Sequence, residues 1–109
     1  ANVASGVQLG VGNIIESNVY IGPHTSIGNN NFISYATVIG HHSSIGNHNL
    51  FAPGVMMAGL VTIGDECILP TGVNFLDQVV VGSRVILPVG YNIVKNLQDD
   101  TVVKMKTED

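Results

Sequence analysis

The sequence predicts an all-β fold, a parallel β-helix of about five triangular coils, from two repeats that span nearly the whole chain. Every sixth residue from Val3 to Ile93 is apolar, sixteen positions without an insertion. The sixteen are Val3, Leu9, Ile15, Ile21, Ile27, Ile33, Ile39, Ile45, Phe51, Met57, Ile63, Leu69, Phe75, Val81, Leu87 and Ile93. Glycine recurs with a longer period of 18 residues, at Gly10, Gly28, Gly46, Gly64 and Gly82. Three six-residue segments per 18 residues describe a coil with three short strands and three corners, and stacked coils bury a continuous core.

Stacking residues 18 apart in parallel strands, about 4.8 Å from one another, gives every side chain a direction. The residues two before each apolar marker also point inward, and they include Val19, Thr25, Thr37, Ser43, Val55 and Val61. One inward column, Asn13, Asn31, Asn49 and Cys67, predicts a ladder of stacked amides that bond to each other, with a buried, unreactive thiol at its end. The recurring glycines predict bends that need either a positive φ or a close approach of backbone.

The residue before each marker points outward and defines three faces. Face one carries Ile14, Phe32, Leu50, Ile68 and Ile86. Face two carries Tyr20, Val38, Met56, Asn74 and Asn92, and face three carries Ser26, Ser44, Thr62 and Val80. An apolar stripe outside a solenoid indicates an interface. If face one packs on face two of the next subunit, the contact closes into a ring, most simply a homotrimer.

Composition limits the classes of protein that fit. The 109 residues make one domain, with the β-helix over 1–95 and a short irregular tail over 96–109. The net charge is −4 and the first basic residue is Arg84, so a footprint for nucleic acid is not expected. No apolar run approaches the roughly 20 residues of a membrane span, and no charged-then-apolar leader is expected at the first residues. The one cysteine excludes an internal disulfide. A cytoplasmic location is expected.

Four histidines, at positions 24, 41, 42 and 48, are the candidates for chemistry. On the 18-residue grid His24 stacks beneath His42, and His41 shares a column with Gly59. His41 and His42 fall at the corner between faces two and three, at the rim of the predicted interface, where a cleft could hold a ligand. A neutral imidazole there can accept a proton from an attacking hydroxyl or ammonium. The alternative is that both are polar turn residues.

Two other histidine hypotheses are weaker. His24 and His42 lack a third ligand at workable spacing, so no metal site is expected. His48 shares its column with Glu66 and Arg84, a pattern typical of a solvated ladder of charges that adds little stability.

The run from Ala36 to Gly54, followed by Ala58 to Asp65, resembles the sialic-acid and amino-sugar O/N-acetyltransferases of the hexapeptide-repeat superfamily. The resemblance extends from Ala1 to about Val103. It implies a left-handed winding, acetyl-CoA as co-substrate and a sugar or nucleotide-sugar acceptor. It further implies that His41 is the general base and that Gly59 offers its backbone N–H to the thioester carbonyl.

The same resemblance implies that the CoA phosphates lie near Arg84 or Lys95. We expect His24 and His42 to contact the acceptor or to lie behind the base. In two respects the chain departs from the family. His42 stands where the family has Asp or Glu, and the 109 residues contain no counterpart of the family's amino-terminal sugar-binding domain. A preceding segment or a partner is expected to cover the first coil.

Other functions fit the same fold. A non-catalytic trimeric scaffold or binding module is the main alternative to an acetyltransferase. A γ-class carbonic-anhydrase-like enzyme would need three histidine ligands, which these spacings do not supply. An ice-binding solenoid would show a regular threonine array, and this sequence has none.

Overall fold

A computed structural model describes residues 1–105, in which all regular elements are strands of two residues. They are β1 (Asn2–Val3), β2 (Gln8–Leu9), β3 (Ile14–Ile15), β4 (Tyr20–Ile21), β5 (Ser26–Ile27), β6 (Phe32–Ile33), β7 (Val38–Ile39), β8 (Ser44–Ile45), β9 (Leu50–Phe51), β10 (Met56–Met57), β11 (Thr62–Ile63), β12 (Ile68–Leu69), β13 (Asn74–Phe75), β14 (Val80–Val81) and β15 (Asn92–Ile93). Each strand ends at a residue of the six-residue repeat.

The strands form three parallel sheets, one for each predicted face. Face one is β3-β6-β9-β12, face two is β1-β4-β7-β10-β13-β15 and face three is β2-β5-β8-β11-β14. Every pair of strands is aligned at an offset of 18 residues, as Val38 with Met56 and Ser44 with Thr62. This register confirms the predicted left-handed parallel β-helix.

The core is a column of apolar side chains inside the coils, and Ile39 and Phe51 are completely buried there. The second inward set is buried as well, including the predicted Thr25 and Thr37. In the first coil the same repeat is uncovered: Val3 and Leu9 are 43% and 45% exposed because no coil lies beneath them. Residues 1–105 contain no helix that could cross a lipid bilayer.

The corners distinguish the two alternatives in the glycine prediction. The positive φ falls on every sixth residue, for example Asn30, His42 and Glu66, and not on the glycines of the 18-residue repeat. Those glycines serve close approach instead, since a Cβ on Gly28 would lie 2.6 Å from the carbonyl oxygen of Gly46. Close approach of backbone is therefore the alternative that the structure bears out.

The inward asparagine column differs in detail from the predicted amide stack. Asn49 Oδ1 accepts from the backbone N–H of Cys67 at 2.8 Å, and its Nδ2 donates to the carbonyl of Gly64 at 2.9 Å. Direct amide-to-amide bonding joins Asn31 to Asn13 at 3.1 Å. The upper rungs bond to backbone because neighbouring coils present unpaired peptide groups at the corner. Cys67 is confirmed as a buried thiol, and burial raises its pKa.

The last coil is two residues short. Val81 bridges Leu97 and Ile86 bridges Val102, an offset of 16 in place of 18. Part of the segment predicted as a tail, up to Val103, therefore packs on the preceding coil, and Leu97 joins the core. The remainder of the predicted tail, 106–109, lies outside the described residues.

Candidate active site at the corner between faces two and three

The corner that joins β7 to β8 consists of Gly40, His41, His42 and Ser43. Gly40 is required there because a Cβ would lie 2.6 Å from the backbone nitrogen of Gly59 in the next coil. The backbone is held on both sides: His42 N–H donates to Pro23 O at 2.9 Å, and His41 O accepts from Leu60 N–H at 2.8 Å. Two adjacent imidazoles thus project from a rigid corner, and both are exposed.

The imidazole of His41 packs against Gly59 of the next coil. A Cβ on Gly59 would lie 2.5 Å from His41 Nε2, so only glycine leaves room for the ring in this position. Among residues 1–105 the Gly59 N–H has no hydrogen-bond acceptor. An imidazole nitrogen and a free backbone donor are therefore adjacent, an arrangement that can deprotonate a nucleophile and polarise a carbonyl.

The corner between faces three and one differs, because side chains satisfy its N–H groups. There, Asn47 N–H donates to Asp65 Oδ1 at 2.8 Å and Asp65 N–H donates to Ser83 Oγ at 2.9 Å. A polar side chain from the coil above satisfies each of these corner N–H groups. Gly59 receives no such side chain.

His42 lies between His41 and His24. Its Nδ1 lies 3.0 Å from His41 Nδ1, and the two rings meet edge to face. The His24 ring lies one coil below, with its centroid 5.1 Å from that of His42. The structure thus brings His24, His41, His42 and Gly59 together. In the described part of the chain, no three His, Cys, Asp or Glu side chains are arranged to hold a metal ion.

The two predicted phosphate contacts lie apart. Lys95 is exposed on the same corner as His41, three coils higher. Arg84 lies on the corner between faces three and one, where its Nε–H donates to Asp100 Oδ1 at 2.7 Å. The hydrogen bond from Arg84 lowers the pKa of Asp100, and the carboxylate in turn raises the pKa of Arg84.

Arg84 pairs with Asp100. In the predicted column of His48, Glu66 and Arg84, its neighbour would instead be Glu66. On the 18-residue grid Asp100 lies in a different column, and it reaches Arg84 because the last coil is two residues short. The shortened coil is visible in the sequence only as a lost repeat after Ile93. The Nδ1 contact between His41 and His42 was also missed, because spacing places both residues at the corner without giving the ring orientations.

Two open grooves on residues 1–105 both lie away from His41. One open groove of about 620 Å³ lies on the upper part of face three and is lined by Val80, Gly82, Asn96, Leu97, Gln98 and Asp99. Another of about 340 Å³ lies at the first coil, beside Asn2 and Tyr20. His41 stands on a convex corner outside both grooves.

Several solved structures are similar to this chain. PerB from Caulobacter crescentus, in complex with CoA and GDP-perosamine, shares 26% identity with a TM-score of 0.89 over 93% of this chain and 49% of its own. A perosamine N-acetyltransferase from the same organism with one histidine replaced by asparagine, in complex with the same ligands, shares 25% identity with a TM-score of 0.90 over 98% of this chain and 53% of its own. No protein-family model and no curated sequence matches.

The acetyltransferase domain of PglB from Neisseria gonorrhoeae has the same fold, with a TM-score of 0.88 at 22% identity over 93% of this chain and 49% of its own. This chain therefore spans about half the length of the structures that it matches. The similarity confirms the resemblance to hexapeptide-repeat sugar acetyltransferases that the sequence predicts.

Proposed function

We propose that this chain is an acetyltransferase that moves an acetyl group from acetyl-CoA to a hydroxyl or amine of a sugar or nucleotide sugar, with His41 as general base. The observation that supports this most strongly is His41 Nε2 lying against Gly59, whose N–H has no acceptor in the described chain. A thioester carbonyl bonded to that N–H would be polarised beside the base. Attack by the acceptor could then be direct, without an acyl-enzyme.

The comparisons support the same reaction. The Caulobacter crescentus structures at 25–26% identity hold CoA and GDP-perosamine, so the scaffold is compatible with a thioester donor and an amino-sugar nucleotide acceptor. Lys95, on the His41 corner, is the better candidate for a CoA phosphate. Arg84 is already paired with Asp100, which weakens its attraction for an anion.

We further propose that three chains assemble with face one of each against face two of the next. Ile14, Leu50 and Ile68 on face one are each about half exposed, as are Tyr20 and Met56 on face two. A stripe of this kind on a soluble protein favours an interface. The assembly would place a neighbour beside His41 and turn the convex corner into a cleft. A cytoplasmic location, where acetyl-CoA is available, remains a prediction.

The test is acetyl transfer, measured as CoA thiol release with GDP-perosamine and a panel of other amino-sugar nucleotides. Wild type is expected to turn over at least one acceptor. Replacing His41 by asparagine should lower kcat by about 100-fold or more and leave CoA binding unchanged, because a general base contributes to the chemical step.

The matched control is His48→Asn, at a different corner and at a positive φ of 59° that asparagine tolerates. It should keep wild-type turnover. A wild-type protein that binds no CoA by calorimetry would contradict the proposal and favour the non-catalytic scaffold, for which the supporting observation is His42 in place of an acidic residue beside His41.

A further inference from the structure

The short contact between the two adjacent histidines constrains where their protons lie. His41 Nδ1 and His42 Nδ1 are 3.0 Å apart, a hydrogen-bond distance. A neutral imidazole has one N–H donor and one acceptor nitrogen, so one of the two facing Nδ1 atoms carries a proton and the other accepts it when both rings are neutral. The tautomers of the two histidines are therefore coupled.

The position of Gly59 shows which arrangement is productive. His41 Nε2 faces Gly59, so a proton taken from an acceptor bound there must arrive at Nε2. Nε2 is free to accept it only if the proton of His41 is on Nδ1. His41 Nδ1–H then donates to His42 Nδ1, and His42 keeps its own proton on Nε2. The reverse arrangement protonates His41 Nε2 and blocks the base.

We propose that His42 is a positioning residue, a neutral hydrogen-bond acceptor that holds His41 in the Nδ1–H tautomer; this inference rests on the proposed function. During transfer the acceptor's O–H or N–H bond breaks and a new N–H bond forms at His41 Nε2. The acceptor's electron pair attacks the thioester carbon, and the proton passes from Nε2 to the departing CoA thiolate. The Nδ1–H···Nδ1 bond becomes charge-assisted while His41 is cationic, which strengthens it at that stage.

The groups packed around the pair are few. The His24 ring lies below His42, and uncharged Gly59 and Leu60 lie above the pair. Asp77 and Lys95 follow higher on the same corner. A charged carboxylate in contact with His41 Nδ1 is absent from the described residues.

Three substitutions at position 42 test whether an acceptor there holds the tautomer of His41, and none of them strains the backbone. The φ of His42 is +54°, a conformation that glycine, asparagine and aspartate adopt more readily than other residues. His42→Gly removes the acceptor, His42→Asn restores a neutral acceptor atom at the same branch of the side chain, and His42→Asp supplies a charged one. His48→Asn serves again as the unrelated control.

We expect His42→Gly to lower kcat about tenfold, with KM for acetyl-CoA changed less than about twofold. His42→Asn and His42→Asp should each recover most of kcat, because each supplies an acceptor oxygen for His41 Nδ1–H. Wild-type kcat in His42→Gly would overturn the proposal, as would failure of both acceptor variants to restore turnover.

A second measurement does not depend on activity. Long-range ¹H–¹⁵N spectra of the imidazoles should show His41 protonated at Nδ1 and His42 protonated at Nε2 at neutral pH. His41 protonated at Nε2 would overturn the proposal. A wild type that transfers no acetyl group contradicts the proposed function alone, because these spectra still establish whether His42 sets the tautomer of His41.

Discussion

At the scale of single residues, Gly59 is the position where the least change should have the largest effect on chemistry. Its missing side chain makes room for His41, since a Cβ would lie 2.5 Å from Nε2. Gly59 is not among the glycines with positive φ, so alanine fits the backbone there. We predict that Gly59→Ala displaces the imidazole by about 1 Å and lowers kcat by about 100-fold.

A double-mutant cycle checks that the cause is this contact. In a His41→Ala background the added methyl group of Gly59→Ala has no imidazole to meet, so it should change the free energy of unfolding less than in wild type. Equal effects in both backgrounds would show that the methyl group acts on something other than His41.

At the scale of elements, an exposed ion pair between Arg84 and Asp100 adds to the core packing and backbone hydrogen bonds that hold the final short coil. Arg84 holds Asp100 in the charged form and lowers its pKa below the ordinary 3.8. A carboxylate with a lowered pKa in the folded state stabilises the protein fully above its ordinary pKa, and this contribution is lost as pH falls through the lowered value. Asp100→Asn should therefore reduce Tm slightly at neutral pH, and the difference from wild type should shrink as pH falls below 3.8 and vanish below the lowered pKa of Asp100.

Thermal unfolding of both proteins across this pH range makes the measurement. Asparagine is compatible with the φ of +64° at position 100, so backbone strain does not confuse the comparison. Asp77→Asn is the control, because its exposed carboxylate accepts only from Gln78 within the described chain. A Tm difference for Asp100→Asn that persists in acid would contradict the role of the ion pair.

The elements were predictable wherever the period held. An apolar residue at every sixth position predicts where each of the fifteen strands ends, because its side chain points into the interior and the residue before it points outward. The last coil was not predictable in register. Two residues are missing between Ile93 and Leu97 relative to the repeat, and a shift of this size can be located only by the contacts that it creates.

At the scale of the whole molecule, the apolar stripe on face one should hold the subunits together. Leu50 is 44% exposed at the middle of that stripe. We predict that Leu50→Lys raises the dissociation constant of the trimer by more than about tenfold, because a charge would be buried in an apolar contact. Sedimentation velocity measures this, with Thr62→Lys on face three as the control. An unchanged assembly in Leu50→Lys would place the interface elsewhere.

Much of the candidate site also followed from spacing, because residues 18 apart are vertical neighbours in a helix of this kind. His41 beneath Gly59 and His24 beneath His42 are consequences of that rule. The orientation of the two imidazoles could not be predicted, since adjacent corner residues can turn their rings toward or away from each other. The free N–H of Gly59 was expected only from resemblance, and its contrast with the Asn47 corner appears only in the structure.

A crystal structure of the protein with CoA bound is the most direct test of a site shared between subunits at His41 and Gly59. We predict three chains around a threefold axis, with the CoA sulfur between subunits, beside His41 Nε2 and the Gly59 N–H. A sulfur far from this corner, or chains in which Phe32 and Leu50 remain uncovered, would contradict it.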